Sequence, residues 1–382
     1  MTKKILLLLI ALICGALSLD CSGSREPPNI LLLPQYLSID ATNSRLFVVD
    51  AANNGFSLID LTTNAIVGDA PLLNQDGPLF LPQLPQDIAV MNLGNGITRI
   101  FIIGNSPPPS NTMYVLEYNS VTGLAYSPIH PITVGTNPNA LLSGLKFDPN
   151  SGNLFVSDSS DAQVRVYNAT TGAEVAGSPV AVNPSPAKMG LNTSVNRLFV
   201  SSLGGTNISV IDTTNLAAGA TSVDVLIDTG SVASATNASG TVLFALSPTL
   251  NQISVFNFNV AANTVTAIGT PIVPPVVGQP VPTNNVLSGA AVQVAAAPLS
   301  TGLIAGVITQ STGDLGFVDV AADLSGFAAQ GLVQVLNGQG ATGIDILKDA
   351  SGNGTVAYFA APGGSAVSFV DILGNVFIGQ DL

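Results

Sequence analysis

Asp87, Asp345 and Lys188 interrupt a pattern that most other polar residues of this chain obey. Asp87 lies in Gln86-Asp87-Ile88-Ala89-Val90, Asp345 in Gly343-Ile344-Asp345-Ile346, and Lys188 in Pro186-Ala187-Lys188-Met189-Gly190. Each stands near the start of an apolar run. A carboxylate pair with a lysine and the nearby amides of Gln83, Gln86 and Asn139 could hold a cation or a small polar ligand. Oxygen ligands of this kind suit Ca2+ or Mg2+. The plainer alternative is a set of solvated loop residues with one ion pair. Neither aspartate holds a repeated turn, so changing both to Ala is expected to leave folding intact and to weaken whatever binds.

Other chemistries have little to stand on. His130, in Pro128-Ile129-His130-Pro131, is the single histidine. One histidine cannot build a multi-histidine metal centre, and no Cys-x-x-Cys-His is present for covalent haem. A Ser-His-Asp triad would need His130, which falls in a proline-flanked segment of an expected outer strand. No Gly-rich phosphate loop closing on Lys-Ser/Thr occurs.

Most remaining acidic and amide residues recur at fixed places. Asp40, Asp148, Asn192 and Asn237 each stand seven residues before a Phe. Asn92 and Asp349 stand nine before Phe101 and Tyr358. A second series is Asp60, Asn119, Asn168, Asp212, Asn257, Asp319 and Asp371. Asp and Asn start turns by accepting from their own downstream backbone. A residue that recurs in every copy serves the repeat.

That repeat sets the architecture. Leu46-Phe47-Val48, Leu154-Phe155-Val156, Leu198-Phe199-Val200 and Leu243-Phe244-Ala245 are near copies. In each, the Phe precedes the Asp or Asn marker by 13 residues. Ile100-Phe101 is a looser copy with Ser106-Pro107-Pro108-Pro109-Ser110 inserted, and Gly306 and Tyr358 stand where two further copies have Phe. The seven markers give units of roughly 50 residues, the span of a propeller blade. Within each unit, runs rich in Val, Ile, Thr and aromatics alternate with Gly, Pro, Asn, Asp and Ser breaks, as four strands would. The expected fold is all-β: a seven-bladed β-propeller of four-stranded antiparallel blades over 29–382. Asn375 to Leu382 is expected to supply the last outer strand, with 29–33 packed beside it.

Composition agrees. The chain has 38 Gly and 25 Pro, is 47% hydrophobic and only 9% charged. A mean hydropathy of +0.49 fits strands buried on both faces. An outer-membrane barrel would want aromatic girdles, whereas Trp is absent and aromatics make up 5%.

The N-terminus reads as an export signal. Lys3-Lys4 precedes an apolar stretch from Ile5 to Leu17, too short to span a bilayer. Leu19-Asp20-Cys21-Ser22-Gly23 follows and is similar to a bacterial lipoprotein signal, with 1–20 removed, Cys21 lipidated and 21–28 a tether. Ser18 and Asp20 depart from the residues such signals prefer, and ordinary cleavage near Gly15-Ala16 is the alternative. Cys14 would be lost, so no disulfide is expected in the mature chain. Cleavage before Cys21 leaves eight basic against 22 acidic residues, a net charge of −14. Such a surface repels nucleic acid and anionic headgroups.

The Leu-Phe-Val strand followed by Ser209-Val210-Ile211-Asp212-Thr213-Thr214 and its counterparts resembles the YVTN-type (YncE-like) bacterial β-propeller repeat family. The resemblance is carried by 45–67, 153–175, 197–215 and 241–265. It implies a seven-bladed envelope protein and no specific reaction.

Two function classes follow. The first is a non-catalytic cell-envelope scaffold, monomeric, binding an envelope protein or a small polar ligand. It would meet the membrane only through its lipid and would sit at the outer membrane, or otherwise be periplasmic or extracellular. The alternative is a divalent-cation-dependent hydrolase of lactone type. Recognition is expected where the copies differ: the channel-mouth loops with Gln86, Asp87, Asn139, Lys188 and Asp345, and secondarily Pro107–Pro109.

Overall fold

Seven copies of one strand pattern form seven separate antiparallel sheets in a computed structural model that describes residues 33–50, 55–67, 83–106, 110–273, 286–333 and 340–381. The proposed signal, Cys21, the tether, 29–32, Pro107–Pro109 and the Thr283-Asn284-Asn285 loop lie outside those residues. The architecture is the expected seven-bladed β-propeller.

Each blade begins with an inner strand. In order these are Pro34–Asp40, Gln83–Gly94, Leu142–Asp148, Pro186–Asn192, Ser231–Asn237, Ala291–Pro298 and Ile344–Lys348. The Leu-Phe-Val motif lies on the second strand and the marker motif ends the third. Six blades have four strands, and blade 2 gains a fifth, Ile132–Thr133, beside Thr112–Asn119. Among the described residues the only helical pieces are two 3-10 turns, Leu216–Ala218 and Pro362–Gly364.

The apolar side chains collect in seven clusters, each drawn from two neighbouring blades. Phe47, Phe101, Phe155, Phe199 and Phe244 are fully buried in them. Losing one such ring typically costs about 3–5 kcal/mol, which explains why the position repeats. Blade 6 has Gly306 there for a steric reason. A Cβ on Gly306 would lie 2.6 Å from the Phe244 ring of blade 5, which already fills the space.

The polar series do what their recurrence implied. Asp148 accepts from the Asn150 N–H at 3.0 Å, Asn192 from Ser194 at 3.2 Å and Asp349 from Ser351 at 2.8 Å. In the second series Asp60, Asn168, Asp212 and Asp371 bond the backbone two residues on. Two of the seven markers differ. In blade 5 the third strand runs on to Asn259, which takes the turn in place of Asn257, accepting from Ala261 and Ala262. In blade 6 Asp323 takes it in place of Asp319. Burial raises the pKa of the displaced Asp319.

Among the described residues, all four strands of blade 7 come from the C-terminal end of the chain. Val376–Asp381 pairs with Ala366–Asp371 as the outer strand of blade 7, as expected. Of 29–33 only Leu33 lies among the described residues, and its N–H bonds Asp50 of blade 1 at 3.0 Å. The seam between blades 7 and 1 is held by Thr342 Oγ1 donating to Gln35 O at 2.7 Å, and by a shared apolar cluster including Leu37, Val48 and Phe369. Gly343 permits this approach: a Cβ there would sit 2.6 Å from Gln35 O.

Candidate functional site

The seven inner strands surround the central channel, and the residues that break the repeat gather there in two groups. The first lies near the strand starts. Lys188, from blade 4, reaches the inner strands of blades 2 and 1. Its Nζ donates to Gln86 O, lies 3.6 Å from Asp87 Oδ2 and sits 4.4 Å from the centre of the Tyr36 ring. Burial lowers the Lys188 pKa while the charge of Asp87 opposes that fall. Tyr36 is pushed up to about 12, by burial first and by Asp87 second.

Asp87 is more committed than its sequence position suggested. Oδ1 accepts from the Ile88 N–H, and Oδ2 accepts at 3.0 Å from the Leu145 N–H of blade 3. It is therefore a buried bridge between inner strands. The expectation that Asp87 can be removed without cost to the fold is corrected: its loss strands a buried backbone donor.

Asp345 plays the same part at the seam. Oδ1 accepts from Ile346 N–H and Oδ2 from the Ile39 N–H of blade 1 at 3.0 Å. The expectation of a freely replaceable residue is corrected here too. Burial raises its pKa, opposed by the charge of Lys146, the two backbone bonds and Lys348.

Asp345 belongs to a second group. It pairs across its hairpin with Tyr358, and Lys146 pairs with Phe155, so the two stand at one level of their blades. Both line a cavity of about 160 Å3 walled by inner strands of blades 3 to 7. Lys348, at the end of the blade 7 strand, lines it as well, with Gln293, Ser234 and the apolar Met189, Leu191 and Ile346. Lys146 is half-buried and Lys348 exposed. Neither makes an ion pair or hydrogen bond within the described residues.

The sequence-predicted residues are thus divided. Gln86, Asp87 and Lys188 come together, Asp345 lies with Lys146 and Lys348, and Asn139 is exposed on the approach to the blade 3 inner strand, its N–H on Asn137. Tyr36, Lys146, Lys348 and Gln293 were missed. One signal could have found the lysines: all three lysines of the described residues lie on inner strands. Among the described residues, no three His, Cys, Asp or Glu side chains gather in a way that could hold a metal ion. His130 is engaged in its blade, stacked on Tyr126 at 4.0 Å with Nδ1 accepting from the Val115 N–H.

No protein-family model matches the chain, and no curated protein matches it in sequence. Solved structures do match its shape. Raptor from Chaetomium thermophilum superposes with a TM-score of 0.58 at 12% identity, over 90% of this chain and 28% of that one. BBS1N in complex with ARL6DN gives 0.57 at 9%, over 90% and 93%. Dihydro-heme d1 dehydrogenase NirN in complex with DHE gives 0.56 at 12%, over 91% and 65%. The chain thus spans about a quarter of Raptor and two thirds of NirN. Identities this low show the fold alone, and the three names span different functions.

Proposed function

We propose that this protein is a non-catalytic, exported β-propeller that holds a small polar ligand in its central channel while its disc serves as a scaffold in the cell envelope. The observation that carries the reading is the division of its polar residues. Those that recur are consumed in turns, as with Asp60, Asn168 and Asp212. Those that differ between blades lie on the inner strands in two groups, of which Lys146, Asp345 and Lys348 line a cavity. Seven equivalent turns cannot tell one ligand from another, whereas a site assembled from unlike inner strands can.

The address rests on the N-terminal sequence and on the resemblance to envelope repeat proteins. Lipidation at Cys21 would leave the disc outside the cytoplasm, tethered by 21–28. Labelling cells with a fatty-acid probe tests this: the parent should be labelled and Cys21→Ser should not. Equal labelling, or none in either, rejects the anchor.

Binding is tested by screening purified protein against small polar compounds by thermal shift, with Lys146→Met as the control. A channel ligand should stabilise the parent and lose that effect in the variant. Ligands unaffected by changes at Lys146, Lys348 or Gln293 would place recognition elsewhere on the disc.

A further inference from the structure

The basic residues of the described chain are sorted by kind. Arg99 pairs with Glu117 at 2.7 Å, Arg165 with Glu174 at 3.0 Å and Arg197 with Asp212 at 2.8 Å. Arg45 lies 5.1 Å from the centre of the Tyr118 ring, and its charge also acts on Asp60. Every arginine of the described residues is therefore matched within the blades. The three lysines of the described residues lie on inner strands, and of these only Lys188 is in an ion pair. In a chain of net charge −13, an ammonium group has many carboxylates to choose from. Lys146 and Lys348 take none of them at contact distance and face one cavity instead.

The wall of this cavity holds two lysines, Lys146 and Lys348, against one carboxylate, Asp345. That carboxylate has already given both oxygens to backbone donors. Two ammonium groups against one carboxylate leave the wall with a surplus of positive charge, and a cleft with low-dielectric walls focuses such a field. The cavity is comparable in volume to one that admits a ligand of about six heavy atoms. Gln293 and Ser234 add neutral hydrogen-bonding groups to its wall, and Met189, Leu191 and Ile346 an apolar side.

We propose that this cavity is an anion site for a small dianion of carboxylate or phosphate type, with its negative groups held by the ammonium groups of Lys146 and Lys348. Lysine suits this task as a compact point charge on a flexible stem, able to meet either a carboxylate or a phosphate. The inference deepens the channel-binding reading and rests on it. It adds the charge and size class of the ligand.

The test uses the full chain with its lysines reductively methylated with 13C-formaldehyde, which keeps their charge. The methyl signals of Lys146 and Lys348 report on the cavity directly and are assigned with single Lys→Met variants. The probes are malonate, inorganic phosphate and the neutral isostere malonamide, each at low ionic strength. Malonate or phosphate should shift the Lys146 and Lys348 signals saturably. Lys146→Met and Lys348→Met should each weaken binding by about tenfold or more, the worth of one hydrogen bond to a charged group. Added NaCl should weaken it further. Saturable shifts with malonate alone or phosphate alone would fix which chemistry is preferred, and either supports the site. Saturable binding of malonamide as tight as malonate would overturn the anionic class and leave the channel reading standing. Linear, unsaturated shifts with all three probes would overturn the anion site. Anion binding that survives the Lys146→Met/Lys348→Met double variant would overturn it as well.

Discussion

Asp87 and Asp345 do the same structural job and keep different company. Each accepts from its own next backbone N–H and from an N–H on the adjacent blade's inner strand. Near Asp87 a lysine has been drawn across the channel into contact. Near Asp345 two lysines act on the carboxylate only through the field, and remain without a contact partner among the described residues. The first region is a closed polar clasp. The second is a cavity with charge left over. Internal satisfaction of polar groups marks structure, and a surplus at a cavity marks a place for something else.

The largest expected effect breaks the clasp. Asp87→Ala leaves the Leu145 N–H without its acceptor and Lys188 without its counter-charge. Removing one partner of a buried pair costs about 3 kcal/mol, a figure that the partial exposure of Lys188 reduces. Lys188→Met removes a charge whose partner keeps two backbone donors, so it should cost less. Urea unfolding of the two variants checks the order. Equal midpoints would show that Asp87 matters only through the ion pair.

Asp345→Ala should cost about 2 kcal/mol, within the range for stranding a buried donor. The damage should concentrate at the seam, where Ile39 loses its acceptor. Hydrogen exchange should then rise at Ile39 and leave Leu145 protected. A uniform rise in all seven blades would contradict a local clasp.

A smaller effect is read at high pH. Tyr36 is held near 12 in the fold against 10.0 for the ordinary group. The folded state therefore keeps a proton that the unfolded chain has lost. Its contribution to stability is fully present below pH 10 and is lost as pH rises toward 12. Tyr36→Phe should remove that part of the alkaline decline, and ultraviolet titration should show one late phenol fewer. An unchanged alkaline profile would mean that Tyr36 is not buried against Asp87 as described.

Much of the fold was legible because it repeats. A Phe 13 residues before an Asp or Asn requires a hairpin of fixed length, and the same geometry recurs wherever the spacing does. The departures came from neighbours in space. Gly306 replaces Phe because the Phe244 ring fills that volume. Asn257 and Asp319 give up their turns because their outer hairpins are built from Asn259 and Asp323. The candidate site was half legible. Asp87, Lys188 and Asp345 stood out as breaks in the pattern, but the two aspartates take amides of the next blade, 58 and 306 residues away in the chain, and Lys188 takes the Gln86 carbonyl, 102 residues away. Lys146 looked like an ordinary strand residue, since nothing local shows that its strand lines a channel.

The division of the channel into a closed clasp and an open cavity is tested most directly by lysine footprinting. Native protein would be acetylated briefly at neutral pH and digested, and the labelling rate at each lysine read by mass spectrometry. Lys348 should react fastest, Lys146 next, and Lys188 should be protected by Gln86, Asp87 and Tyr36 until the protein unfolds. Labelling of Lys188 in the native protein at the rate of Lys348 would contradict the account.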